Sequence, residues 1–100
     1  MSVDLLLPNE WAVRGAQRDV VAAFLDAPGG ALSYPDLAAL ICPTAKPKSQ
    51  IVIARRHVRE LRAKLGHLGV AIHARWGEGY EMPAASREII RDAIEKRLAA

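Results

Sequence analysis

The spacing of apolar residues between Ile51 and Leu65 constrains this chain most. Ile51, Ala54, Val58, Leu61 and Leu65 recur at steps of 3, 4, 3 and 4, the period of one helix face laid on a core. After Gly69 the period drops to two. Val70, Ile72 and Ala74 point one way, and Ala71, His73 and Arg75 the other, as in a half-buried strand. A chain that switches period within a few residues must pack helices and extended segments around the same core. With 100 residues, 51% of them hydrophobic, that core is thin, and one domain over 1–100 is expected.

The remaining elements follow from start and stop signals. Helix 1 is predicted from about Ala16 to Ala27, with Ala16, Val20, Ala23, Phe24 and Ala27 on one face, stopped by Pro28-Gly29-Gly30. Ser33-Tyr34-Pro35-Asp36 reads as a capping box opening helix 2, since Ser33 can accept from first-turn amides and a proline this early removes no helical bond. Leu37, Leu40 and Ile41 form its expected core stripe, and Pro43 ends it. Helix 3 spans about 49–65, with Ser49 as N-cap and Gly66 as stop. A hairpin over 70–82 turns at Trp76-Gly77-Glu78-Gly79 and returns through Tyr80-Glu81-Met82. A last helix runs from about Ser86 to Leu98, with Ile89, Ile90, Ala93, Ile94 and Leu98 as its apolar face. Upstream, Val3–Leu7, the Pro8-Asn9 turn and Trp11-Ala12-Val13 suggest a short N-terminal hairpin.

This order gives a fold class of mainly α with a small β component. It is a winged helix-turn-helix with a short N-terminal hairpin, a three-helix core, a β-hairpin wing and an extra C-terminal helix. In such a unit the third helix enters the DNA major groove. The charge distribution points to the same segment. Residues 46–75 hold eight basic groups against Glu60 alone, a local charge of +7, while 1–45 sum to −3 and 76–100 to −1. A basic cluster of this kind is the footprint of a polyanion partner.

Several function classes are disfavoured. No apolar run reaches the ~18 residues of a membrane span, and the N-terminus lacks a basic n-region. One cysteine, Cys42, fits a reducing, cytoplasmic setting at the nucleoid and reads as a small buried hydrophobe. His57, His67 and His73 with Cys42 match no zinc-ligand spacing, so neither metal nor cofactor is expected. His57 is expected to flank the helix 3 core. No Ser/His/Asp set or carboxylate pair is recognisable, so the chain is not read as an enzyme.

Three stretches resemble a known family. His57-Val58-Arg59-Glu60-Leu61-Arg62-Ala63-Lys64-Leu65-Gly66 looks like the recognition-helix signature of the OmpR/PhoB-type response-regulator DNA-binding domain. Ala74-Arg75-Trp76-Gly77-Glu78-Gly79-Tyr80-Glu81-Met82 resembles its wing, and the stretch from Ala27 to Leu37 its connection between the first two helices. The resemblance covers about 13–82, with 84–100 as an added C-terminal helix. No receiver domain is expected with it, so the resemblance is not taken to imply a phosphorylation switch. Glu60 stands at a commonly basic position, and Trp76 and Glu81 stand where many members have arginine.

Residue roles follow from contact chemistry. Lys46, Lys48, Ser49, Arg62 and Lys64 are assigned to phosphates. Gln50, Ile53, Arg55, Arg56 and Arg59 are assigned to base edges, since Gln binds adenine, Arg binds guanine and Ile can touch a thymine methyl. Gln50 and Arg56 are favoured among these. Arg75 and Trp76 form the wing contact. The expected partner is double-stranded DNA, with a homodimer through the C-terminal helix and a transcription-machinery partner as further candidates, and no membrane. Trp11 is read as a core or hairpin anchor and Tyr80 as packing the wing on the body. Two other functions compete with sequence-specific regulation: a winged-helix protein-interaction module, and a nucleoid-type binder with little sequence preference.

Overall fold

The computed structural model describes residues 7–99. Helix α1 (Ala16–Asp26) buries Val20, Val21, Phe24 and Leu25. Its inner face is thus rotated from the expected stripe, with Ala16, Ala23 and Ala27 only half-buried at its edge. The larger side chains take the core positions because they remove more apolar surface from water. A 3-10 turn at Pro28–Gly30 leads into strand β1 (Ala31–Ser33). Helix α2 (Tyr34–Ile41) follows directly. Its capping box forms as expected: Asp36 N donates to Ser33 Oγ at 3.1 Å, and Ser33 N donates to Asp36 Oδ2 at 3.3 Å. Leu37 and Ala38 are buried, whereas Leu40, expected in the core, is 36% exposed.

Helix α3 (Pro47–Leu65) starts two residues before the expected position. Lys46 is its N-cap, Pro47 occupies its first turn, and Ser49 lies inside, donating its backbone N–H to Lys46 O at 2.8 Å. A proline whose φ is already helical and whose missing N–H had no partner starts the helix more readily than a serine two residues on. Ala54, Val58, Leu61 and Leu65 are each at most 1% exposed. At the other end Gly66 remains helical, with φ −58°. The chain continues through a 3-10 turn at Gly66–Leu68, and the stop falls at Gly69 with φ 87°, a left-handed conformation that favours glycine.

Strands β2 (His73–Arg75) and β3 (Gly79–Glu81) form the wing. They belong to a three-stranded antiparallel sheet of order β1-β3-β2. Tyr80 is the central partner of both neighbours, opposite Leu32 on β1 and Ala74 on β2. Of the alternating positions, Val70 and Ile72 are buried, but Ala74 is exposed because the hairpin has by then left the body. Helix α4 (Ala84–Ala99) lies back on the core through Ser86 and Ile90, both buried. Ile89, Ala93 and Ile94 pack at its margin, and Leu98 is 64% exposed. Ser86 Oγ accepts from Ala71 N at 2.8 Å, and Arg91 Nη2 donates to Leu25 O at 2.8 Å, fastening α4 to both the wing entry and α1.

The arrangement is a winged helix-turn-helix with an added C-terminal helix. Its N-terminal hairpin is the part that needs correction. Its outer strand lies almost wholly outside the described residues. Its expected return strand, Trp11–Val13, is instead the end of a 3-10 turn (Asn9–Trp11) followed by Ala12 at φ 56°. Trp11 and Val13 still anchor the core, at 7% and 6% exposure. No helix among the described residues is long and apolar enough to cross a membrane.

Candidate nucleic-acid interface

Once Ala54, Val58, Leu61 and Leu65 face inward, 3.6 residues per turn fix what faces outward. Lys48, Ser49, Val52, Arg55, Arg56 and Arg59 are all exposed, and Lys46 is exposed at the helix start. The only acidic residue of α3, Glu60, is turned to its flank. Its carboxylate accepts from Gln17 Nε2 at 2.8 Å and meets Arg56 Nε at 3.3 Å. The outward surface therefore presents an excess of cations, with one acid at its edge, Glu60, whose side chain is 41% exposed and paired with Arg56.

Two of the residues assigned to phosphates also make hydrogen bonds within the protein, Arg62 while remaining exposed and Lys64 while half-buried. Arg62 donates to Ile72 O through Nε at 2.9 Å and Nη2 at 2.5 Å. Its guanidinium also lies 5.5 Å from the Tyr80 ring centroid, within range of a cation–π contact. Lys64 Nζ donates to Ala12 O at 2.9 Å and to Gln17 Oε1 at 2.5 Å. Gln17, 7% exposed, thereby joins Lys64 to Glu60. Both positions flank the buried stripe, where long side chains can reach backbone carbonyls while part of their length stays in water.

The base-reading candidates also divide. Gln50 is half-buried and donates from Nε2 to Ala45 O at 3.3 Å, closing the α2–α3 loop onto the helix. Ile53 is half-buried on the same flank. Arg56 is held by Glu60 yet keeps 71% of its side chain exposed. Arg55 and Arg59 are exposed, and no hydrogen bond or ion pair with described residues holds them. Of the assigned residues, Lys46, Lys48, Ser49, Arg55, Arg56, Arg59 and Arg62 are thus exposed, and Gln50, Ile53 and Lys64 are half-buried.

A feature that periodicity alone missed lies beside this face. A groove of about 350 Å³ runs between α3 and the wing, lined by Tyr34, Ile51, Arg55, Ala74, Trp76 and Tyr80. Ile51, expected in the core, is 37% exposed on this groove, and Val52 next to it is 66% exposed. At the wing, Arg75 pairs with Glu78 at 3.2 Å and Trp76 is 97% exposed. Tyr80 is buried and meets Tyr34 edge to face, with centroids 5.9 Å apart, an orientation favoured by the ring quadrupoles. His57 is half-buried, and its Nδ1 finds no partner among described residues. Cys42 is half-buried with Sγ 3.7 Å from Thr44 Oγ1, more open than the buried position expected of it.

The division of labour at Arg62 is measurable. Replacing Arg62 by Ala is expected to lower the melting temperature by several degrees, since a part-buried carbonyl loses a charged donor. It is expected to leave the salt dependence of polyanion binding unchanged, whereas a lost phosphate contact lowers that slope by about 1. A lowered slope with an unchanged melt would return Arg62 to the phosphate contacts.

Compared with protein-family models, with curated proteins and with solved structures, the chain matches none.

Proposed function

We propose that this protein is a sequence-specific, double-stranded-DNA-binding transcription regulator, with α3 in the major groove and the wing over the adjacent minor groove or backbone. The observation behind this reading is the outward face of α3. Arg55 and Arg59 are exposed and Lys46, Lys48 and Ser49 flank the helix start, while the one acid of the helix is occupied by Gln17 and Arg56. Free guanidinium groups on a helix that fits a major groove can bind guanine bidentately. Exposed lysines and the first-turn amides suit phosphates. On this reading Arg55 and Arg59 take the base contacts, Arg56 joins them by exchanging Glu60 for a base, and Arg75 works from the wing. The sequence resemblance to OmpR/PhoB-type DNA-binding domains agrees with this assignment. Internal docking of α4 on the core favours binding as a monomer or a tandem pair over pairing through α4.

A second reading has its own observation. Leu40, Ile51 and Val52 leave apolar surface on the helix-turn-helix, which suits a protein-interaction module. Selection from a random duplex library at two salt concentrations separates the readings. The expected result is an enriched motif that survives the higher salt. Binding without a motif that collapses with salt would indicate a non-specific polyanion binder, and absence of binding at both would favour the interaction module.

A further inference from the structure

The wing tip holds an unusual juxtaposition. Trp76 is 97% exposed, although an indole can remove roughly 150–250 Å² from water when it packs. Among the described residues, nothing folds back over it. The base of the same hairpin is firmly fixed: Tyr80 is buried against Tyr34, and Arg62 joins Tyr80 to the Ile72 carbonyl. The tip is braced as well, by the Arg75–Glu78 pair and by Glu78 N donating to Arg75 O at 2.9 Å. Gly77, at φ 75°, supplies the turn. The hairpin is therefore an anchored arm that presents a bare aromatic plane beside a groove whose other wall carries Arg55.

We infer that Trp76 is a wedge for a base step of duplex DNA: its indole enters the minor groove from the wing and stacks against a partly opened step. This inference rests on the DNA-binding reading above and specifies what the wing does in it. Three features favour a base step as the occupant. The ligand must offer a flat apolar face to a flat apolar side chain, as bases do. Negative charge on the ligand is favoured as well, because Arg55, which has no ion pair with described residues, lines the groove. Finally, the arm must resist deformation if it is to unstack a step rather than bend away, and its anchoring supplies that resistance. Apolar wedges in the minor groove kink the duplex toward the major groove by roughly 20–90°, which would draw the flanking DNA toward the cations of α3.

The test uses the full chain and a 30-base-pair random-sequence duplex labelled at both ends for energy transfer, at low salt. Trp11 is 7% exposed, so acrylamide quenching of the free protein reports Trp76. Because Trp76 touches little, Trp76→Ala and Trp76→Phe should fold as the wild type does, which the melting temperature checks. The expected result has three parts: duplex binding shields Trp76 from acrylamide, it shortens the end-to-end distance, and Trp76→Ala lowers affinity roughly 5- to 150-fold while Trp76→Phe recovers much of it. Binding with Trp76 still quenchable, or shielded with no change in end-to-end distance, would overturn the wedge and leave the DNA-binding reading intact. No duplex binding by the wild type would overturn that reading, and the wedge with it.

Discussion

Replacing both Arg55 and Arg59 by alanine is expected to abolish tight duplex binding while leaving the melting temperature within a few degrees of wild type. The two residues lie one turn apart on the outward face of α3, and both are exposed without intramolecular partners among described residues. Each base-reading arginine is worth ~1–3 kcal/mol, and neighbours on one ligand add imperfectly. The combined loss should be roughly 10²- to 10⁴-fold in affinity at fixed salt. Lys96→Ala removes a positive charge from α4, where its partner is Asp92 at 3.0 Å, and should change binding little. A double variant that binds within threefold of wild type would remove α3 from the interface. A loss matched by Lys96→Ala would reduce the effect to net charge.

The second large effect concerns the fold. A Cβ at Gly79 would sit 2.1 Å from Leu32 O and 2.8 Å from the Ser33 Cα. Both obstacles are backbone of the neighbouring strand, so no rotamer change relieves the contact. Gly79→Ala should therefore push β1 off β3, at a cost of about 2–4 kcal/mol. In a domain of this size each kcal/mol lowers the melting point by roughly 4–8 °C, so a fall of roughly 10–30 °C is expected. Gly66→Ala makes a suitable control. Gly66 has a helical backbone with φ −58°, and its added Cβ would meet nothing within 4 Å. That change should be neutral or slightly stabilising by reducing the freedom of the unfolded chain. If Gly79→Ala melts with the wild type, the strands are not as close as described.

Helices were legible in the sequence wherever a stop signal or a long apolar stripe existed. The capping box at Ser33 and Asp36 located α2, and the stripe from Ala54 to Leu65 located α3 and its buried face. Strand β1 was not legible. Three residues hold too little pattern to mark a strand, and Ala31–Ser33 are extended because β3 offers them a ladder, a long-range cause. The N-terminal turn misled for a similar reason. Trp11 and Val13 alternate as a strand would, but their burial on the core is satisfied by a 3-10 turn and irregular backbone. At the candidate site, periodicity separated inward from outward residues on α3, and it correctly left Arg55 and Arg59 outside. It could not say which cations would find carbonyls. The acceptors of Arg62 and Lys64 are Ile72 O and Ala12 O, brought near by folding and invisible in local spacing. Ile51 failed differently. It keeps the stripe's spacing, yet it lies at the helix end where the neighbour is the wing groove rather than the core.

Arg62 is the one side chain of α3 that grips a backbone carbonyl at the wing entry and an aromatic ring on the return strand together. Helix and hairpin are thereby coupled as the two jaws of a calliper set to a fixed gauge. Such an instrument measures span as well as chemistry. A ligand carrying the right groups at the wrong separation would engage one jaw and miss the other, so selectivity would reside partly in the distance between grooves and not only in the letters read within them.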